Sequence, residues 1–150
     1  MKFLFISAYT YLHQNSEVWK GNCLQAINST TDDNGELLFV RGKYHKYGLD
    51  IKTHNGQQQL QGCVKTFAYW DPSVLNSKKL LNVQTGKLEE VNIESLGKSV
   101  IKKDGSDIEA KHYRINNPKF SIDLWYSDNK EWLALESTTE NGARLRYLAQ

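Results

Sequence analysis

The sequence predicts an all-β protein, built as a curved antiparallel meander sheet or incomplete barrel with one short connector helix. Three observations predict it. Turn signals recur along the whole length, at Asp33-Asn34-Gly35, Asn55-Gly56, Thr85-Gly86, Asp104-Gly105, Asn117-Pro118, Asp128-Asn129 and Asn141-Gly142; Gly and Asn accept the positive φ that tight hairpin turns require. The runs between them are short and rich in Val, Ile, Thr, Tyr, Phe and Trp, types that fit a pleated, packed surface. No long amphipathic helix, internal repeat, low-complexity tract or linker interrupts the pattern, so residues 1–150 read as one β-rich domain.

The first element is a strand from about Phe3 to His13, apolar on both faces at its start (Phe3 and Phe5 on one, Leu4 and Ile6 on the other). Tyr9, Thr10, Tyr11, His13, Gln14 and Asn15 then break the apolar run, and no small-x-small cleavage site follows, so a strand explains these residues better than a signal peptide. A chain that opens in mid-strand reads as truncated at its front. The basic stretch Lys43-Tyr44-His45-Lys46-Tyr47 reads as a solvated strand edge, where Lys discourages sheet-to-sheet pairing.

Two hairpins can be registered. A two-residue turn at Asn55-Gly56 sets Ile51 opposite Leu60 and Tyr47 opposite Val64, continuing one apolar face. Asp71-Pro72 opens the one helix, a connector of about two turns to Ser77, with Asp capping and Pro tolerated at the first helical position. Further on, a turn at Asn129-Lys130 sets Leu124 opposite Leu135 and Tyr126 opposite Leu133. A turn at Asn141-Gly142 then sets Leu135 opposite Leu148. Three strands near 120–127, 132–138 and 143–149 share an apolar face, with Trp125 and Ala134 pointing the other way.

Composition narrows the function classes. Lys and Arg total 19 against 17 Asp and Glu, a net charge of +2, which gives no electrostatic footprint for nucleic acid. No stretch of 18 apolar residues exists, so no helix spans a bilayer. His13, His45, His54 and His112 form no i,i+4 zinc pair, and neither an H-E-x-x-H nor a G-x-S-x-G occurs. The sequence therefore identifies no catalytic residue, no metal ligand and no cofactor. Glu109 and Lys111 face the same way, as an ion pair would, and Asp123 stands opposite Glu136 in the register above. Like charges repel there unless a cation or a raised pKa intervenes, and Arg144 and Arg146 on the next strand can supply the cation. Phe67-Ala68-Tyr69-Trp70 reads either as core at the sheet end or as the mouth of an apolar pocket. Cys23 and Cys63 lie 40 positions apart, either as two unrelated buried thiols or as one disulfide.

Several runs together resemble a known family: Thr66-Phe67-Ala68-Tyr69-Trp70-Asp71-Pro72, Leu80-Leu81-Asn82-Val83-Gln84-Thr85-Gly86, and Asp123-Leu124-Trp125-Tyr126 followed by Glu131-Trp132-Leu133-Ala134-Leu135-Glu136-Ser137 and Gly142-Ala143-Arg144-Leu145-Arg146-Tyr147. Phe3-Leu4-Phe5, His13-Gln14-Asn15-Ser16-Glu17-Val18-Trp19 and Cys23-Leu24 fit the same pattern. The family is an uncharacterised domain of unknown function in exported, β-rich Gram-negative proteins. The resemblance implies that this chain is the C-terminal two thirds or more of the family's domain, lacking its opening strands. It implies a periplasmic or secreted location and a Cys23–Cys63 disulfide in an oxidising compartment. It also implies a strongly curved sheet similar to the incomplete barrels of lipoprotein carriers, a likeness of fold alone.

The expected function is that of a non-enzymatic cell-envelope protein binding an apolar or lipid-like ligand, or a partner chain, on the concave face of its sheet. The candidate lining is Phe67, Tyr69, Trp70, Leu124, Tyr126, Leu133, Leu135 and Leu148. One alternative is a hydrolase or metal-assisted enzyme using His112, Asp123 and Glu136. Another is a structural module that forms a homo-oligomer through an open sheet edge.

Overall fold

The structure is a computed structural model that describes residues 11–139 and 144–149. The described residues make twelve strands and one 3-10 helix. Five strands form a first sheet in chain order: β1 (Tyr11–Lys20), β2 (Cys23–Asp33), β3 (Glu36–His45), β4 (Gly48–Thr53) and β5 (Gly56–Leu60). After the helix Pro72–Asn76, β6 (Lys79–Leu81) and β7 (Leu88–Glu90) make a two-stranded sheet. A second five-stranded sheet follows, again in chain order: β8 (Asn92–Lys103), β9 (Ser106–Asn117), β10 (Phe120–Tyr126), β11 (Trp132–Thr139) and β12 (Arg144–Leu148). Every ladder in both five-stranded sheets is antiparallel, and neither sheet closes into a barrel. The all-β meander is thus present twice. Two compact units result: one holds the residues up to Thr66 with Leu81–Leu88, the other Phe67–Leu80 with the residues from Glu89 on.

The turn signals fall where the chain reverses. Asn34 and Gly35 join β2 to β3, and Asp104 and Gly105 join β8 to β9, all four at positive φ. That pair of values defines the hairpin turn whose twist matches the strands it connects. The expected turn at Asn141-Gly142 and the expected strand residues 3–10 lie outside the described residues.

In the first unit, Leu24, Ile27, Val40, Leu49, Ile51, Leu60, Val64 and Leu81 form the core. Beyond β5 the chain returns to β2: the Leu24 N–H donates to the Val64 carbonyl at 2.8 Å, and Cys23 and Cys63 are joined in a disulfide. The first hairpin departs from the sequence reading by two residues. Its loop is His54-Asn55, so Leu49 rather than Ile51 faces Leu60, and Ile51 faces Gln58. Gly48 explains the shift: a Cβ there would lie 2.5 Å from the Leu60 carbonyl oxygen, and its φ of 135° suits glycine alone. A shift of two keeps every side chain on its own face, so Leu49, Ile51 and Leu60 stay buried. Tyr47 does not face Val64; it is exposed in the β3–β4 turn. Lys43, Tyr44 and His45 are solvated as expected, but on an inner strand rather than an edge.

In the second unit the 3-10 helix is capped by Asp71, whose carboxylate accepts the Ser73 N–H at 2.9 Å, with Pro72 in the first turn. Its Val74 joins Leu80, Ile115, Leu124, Tyr126 and Leu135 in the core. Leu124 does face Leu135, and Asp123 faces Glu136. A bulge between Trp125 and Tyr126 then gives Tyr126 the partner Trp132 instead of Leu133. On the last strand the expected register is off by one: Leu148 pairs with Ala134, and Leu135 with Tyr147. One residue of slip moves a whole strand to the other face. Leu148 therefore leaves the Leu124–Leu135 face and is 43% exposed.

Candidate functional site

Alternation along β10 sends Leu124 and Tyr126 to one face of the second sheet, and Asp123 and Trp125 to the other. The first face is filled. Phe67, Tyr69 and Trp132 pack against its buried cluster, with Phe67 edge-on to Phe120 at 5.6 Å and Tyr69 against Trp132 at 4.7 Å. The Tyr126 hydroxyl donates to the Tyr69 carbonyl at 2.5 Å. Burial, then the nearby Asp71 and Tyr113, push that hydroxyl above the usual phenol range, so it is a neutral donor.

The opposite face is zoned in rows that cross all five strands. Glu94, Arg114, Asp123, Glu136 and Arg146 stand opposite one another in succession. The next row is Gly97, His112, Trp125, Ala134 and Leu148. In the charged row each carboxylate of the like-charged Asp123/Glu136 pair is held by an arginine. Arg114 Nε and Nη2 donate to the two Asp123 oxygens at 2.7 and 3.1 Å, a bidentate pair. Arg146 Nε donates to Glu136 at 2.9 Å. His112 Nε2 lies 3.2 Å from Asp123 Oδ2, attracted to it but not aligned as a hydrogen bond. Burial acts to raise the Asp123 pKa; the Arg114 hydrogen bond and charge, with the contact from His112, outweigh it and hold the carboxyl below its ordinary value.

That shift has a pH signature. A carboxyl with a folded-state pKa below its unfolded one stabilises the fold above the unfolded value, and the contribution is lost as pH falls through the folded value. Thermal melts of the protein should therefore lose stability from about pH 5 downward more steeply than those of Asp123→Asn. The variant starts lower at neutral pH, because Arg114 loses its charged partner, and its acid limb is flatter.

In the second row the His112 ring stacks on the Trp125 indole, centroids 4.5 Å apart and planes within 11°. Trp125 and Ala134 floor a groove of about 520 Å³. Its sides come from Ser99–Lys102 on β8 and from Arg146 and Leu148 on β12, the two outermost strands of the sheet. Held flat, five strands would set their edges about 19 Å apart, too far to share one ligand-sized groove. The sheet is therefore curled about this face, and the face is the concave one. The Trp125 Nε1–H is buried and has no acceptor among the described residues.

The sequence-derived lining divides accordingly. Leu124, Tyr126 and Leu135 are buried on the filled face, with Phe67 and Tyr69 half-buried beside them, and Leu133 is buried at the bulge. Trp70 is 56% exposed, edge-on to Tyr69 at 5.2 Å. Of those residues only Leu148 lines the groove. Trp125, Ala134, Val100 and Ile101, which the sequence assigned to the other face or left unassigned, make up the rest of its apolar part. The signal for them was present: a Trp directly opposite an Ala on a face otherwise read as polar. His112, Asp123 and Glu136 do come together, yet both carboxylates are engaged by arginines, an arrangement that anchors charge rather than shuttles protons. Among the described residues no three His, Cys, Asp or Glu side chains are grouped to hold a metal ion, and no helix is long and apolar enough to cross a membrane.

Fold and site define an antiparallel all-β protein with a disulfide-tied first sheet and an aromatic-floored groove in its second. The chain belongs to the family described as a domain of unknown function (DUF6134), whose model matches residues 1–150. That match does not bear out the expectation that the chain is the C-terminal two thirds of the family's domain. No curated protein and no solved structure matches the chain.

Proposed function

We propose that this is a non-enzymatic cell-envelope protein, periplasmic or secreted, that holds an apolar or lipid-like ligand in the groove of its second sheet. One observation carries the reading: both outer strands of that sheet line a single 520 Å³ space floored by Trp125 and Ala134. Such a volume lies within the range of small-molecule sites, which are mostly apolar with a few placed polar groups. Here the charged row alongside, with Arg146 at the rim, would take the polar end of an amphiphile. The Cys23–Cys63 bond supports export, since such bonds persist in oxidising compartments.

The test is organic extraction and mass spectrometry of the purified protein, followed by titration with a fluorescent fatty acid. Saturable binding that quenches tryptophan emission is expected. Trp125→Ala should weaken it at least about tenfold, roughly the 1.4 kcal/mol that losing part of an aromatic floor removes. Finding neither co-purified lipid nor saturable binding would end the proposal.

One feature favours a second reading, self-association through an open edge. β5 closes one side of the first sheet with Gly56-Gln57-Gln58-Gln59-Leu60 and carries no charged residue, the device that commonly blunts such edges. Light scattering across a range of concentrations, repeated on Gln57→Lys, separates a β5-paired dimer from a monomer.

A further inference from the structure

We propose that the second sheet carries another binding site, on the face away from the groove, for a small anion with a flat apolar body, the class of an aromatic carboxylate. The site is a cavity of about 280 Å³ beside the 3-10 helix. Its walls are apolar and aromatic: Leu75 from the helix, Ile93 from β8, and the Tyr113 and Tyr126 rings, whose centroids lie 6.0 Å apart at 71°. Such walls accept a planar group edge-on or offset. At about 30 Å³ for each water-sized group, the volume admits about nine non-hydrogen atoms.

The charged residues that line it are all of one sign. Lys111 and Lys130 both line the cavity, and no acidic side chain is among its lining residues. The sequence pairs Glu109 with Lys111, but the structure gives Glu109 to Lys98 on the neighbouring strand at 3.4 Å. Lys111 then stands directly opposite Lys98. With Glu109 committed to Lys98, the Lys111 charge is left without a carboxylate of its own. Neither Lys111 nor Lys130 has an ion-pair partner among the described residues. Ser95 and Asn76 add polar groups at the same rim. The arrangement is an aromatic slot lined by two exposed lysines without ion-pair partners, the complement of an aryl carboxylate. It does not depend on what the groove on the other face binds.

Sodium benzoate, with nine non-hydrogen atoms, is the probe, titrated into the intact protein and followed by calorimetry and by NMR of the tyrosine rings. Saturation in the millimolar range or below is expected, with the Tyr113 and Tyr126 resonances moving and the Trp125 indole still. Benzyl alcohol, of similar shape and uncharged, should bind at least about tenfold more weakly, as should benzoate to the Lys111→Gln/Lys130→Gln double variant. Both lysines are exposed, so the double variant keeps the fold. Raising salt should weaken benzoate and leave benzyl alcohol unchanged. The proposal is overturned if benzoate does not saturate, if benzyl alcohol binds equally, or if the double variant binds benzoate as the parent does.

Discussion

Leu124→Ala should destabilise the protein by about 2–5 kcal/mol, while Leu148→Ala should cost under about 0.5 kcal/mol. Leu124 has no exposed surface and sits among Ile115, Tyr126 and Leu135, where truncation leaves a cavity that packed neighbours fill only in part. Leu148 keeps 43% of its surface in solvent on the other face. Denaturant unfolding of the two variants measures the contrast directly. It also tests the register of β12, because the pairing read from sequence would have placed both leucines in one core. Folded proteins are stable by only about 5–15 kcal/mol, so the first substitution removes a large share of what holds the second unit together. In the groove, Leu148→Ala should instead appear as weaker binding of the fluorescent fatty acid.

The second large effect is expected from the disulfide. Replacing both Cys23 and Cys63 by Ser should lower stability by about 4 kcal/mol, the chain-entropy value for a cross-link spanning 40 residues. The bridge ties the chain leaving β5 to the start of β2, beside the Leu24–Val64 backbone hydrogen bond. Without it that bond and the burial of Val64 must hold the return alone. Denaturant titrations of the oxidised protein, the reduced protein and the double Ser variant should give one high midpoint and two similar low ones. Three coincident midpoints would mean that β2 and the segment after β5 stay together without sulfur.

Much of this architecture was legible in the residues, for reasons that differ along the chain. Asn34-Gly35 and Asp104-Gly105 mark turns because few other pairs tolerate positive φ twice in succession. Asp71-Pro72 marked the helix because capping and a preset φ are local properties. The Leu124–Leu135 and Asp123–Glu136 pairings followed from a loop of fixed length between two alternating runs. The failures share a cause in contacts distant along the chain. At Gly48 the Leu60 carbonyl decides the register, and nothing near Asn55-Gly56 announces that. The ladder alone shows that β12 is displaced by one residue, and with that residue the concave lining changes from leucines to Trp125, Ala134 and Leu148. Along β10 alternation separated the two faces correctly. Which of them would be covered depends on the segment from Phe67 to Leu80, whose docking no local pattern encodes.

Because each ladder in the five-stranded sheets joins consecutive strands, the chain can assemble by zipping neighbouring ribbons, closing only short loops at each step. Low sequence separation between contacts favours fast folding, which all-β chains with crossed connections lack. The Leu24–Val64 contact and the sulfur bridge are long-span links of the first sheet, so they come late in such a sequence of events. Oxidation would then seal a ribbon already in place rather than guide its search. A reduced, denatured chain should regain its strands quickly and its cross-link slowly, on the seconds-to-hours scale of thiol chemistry.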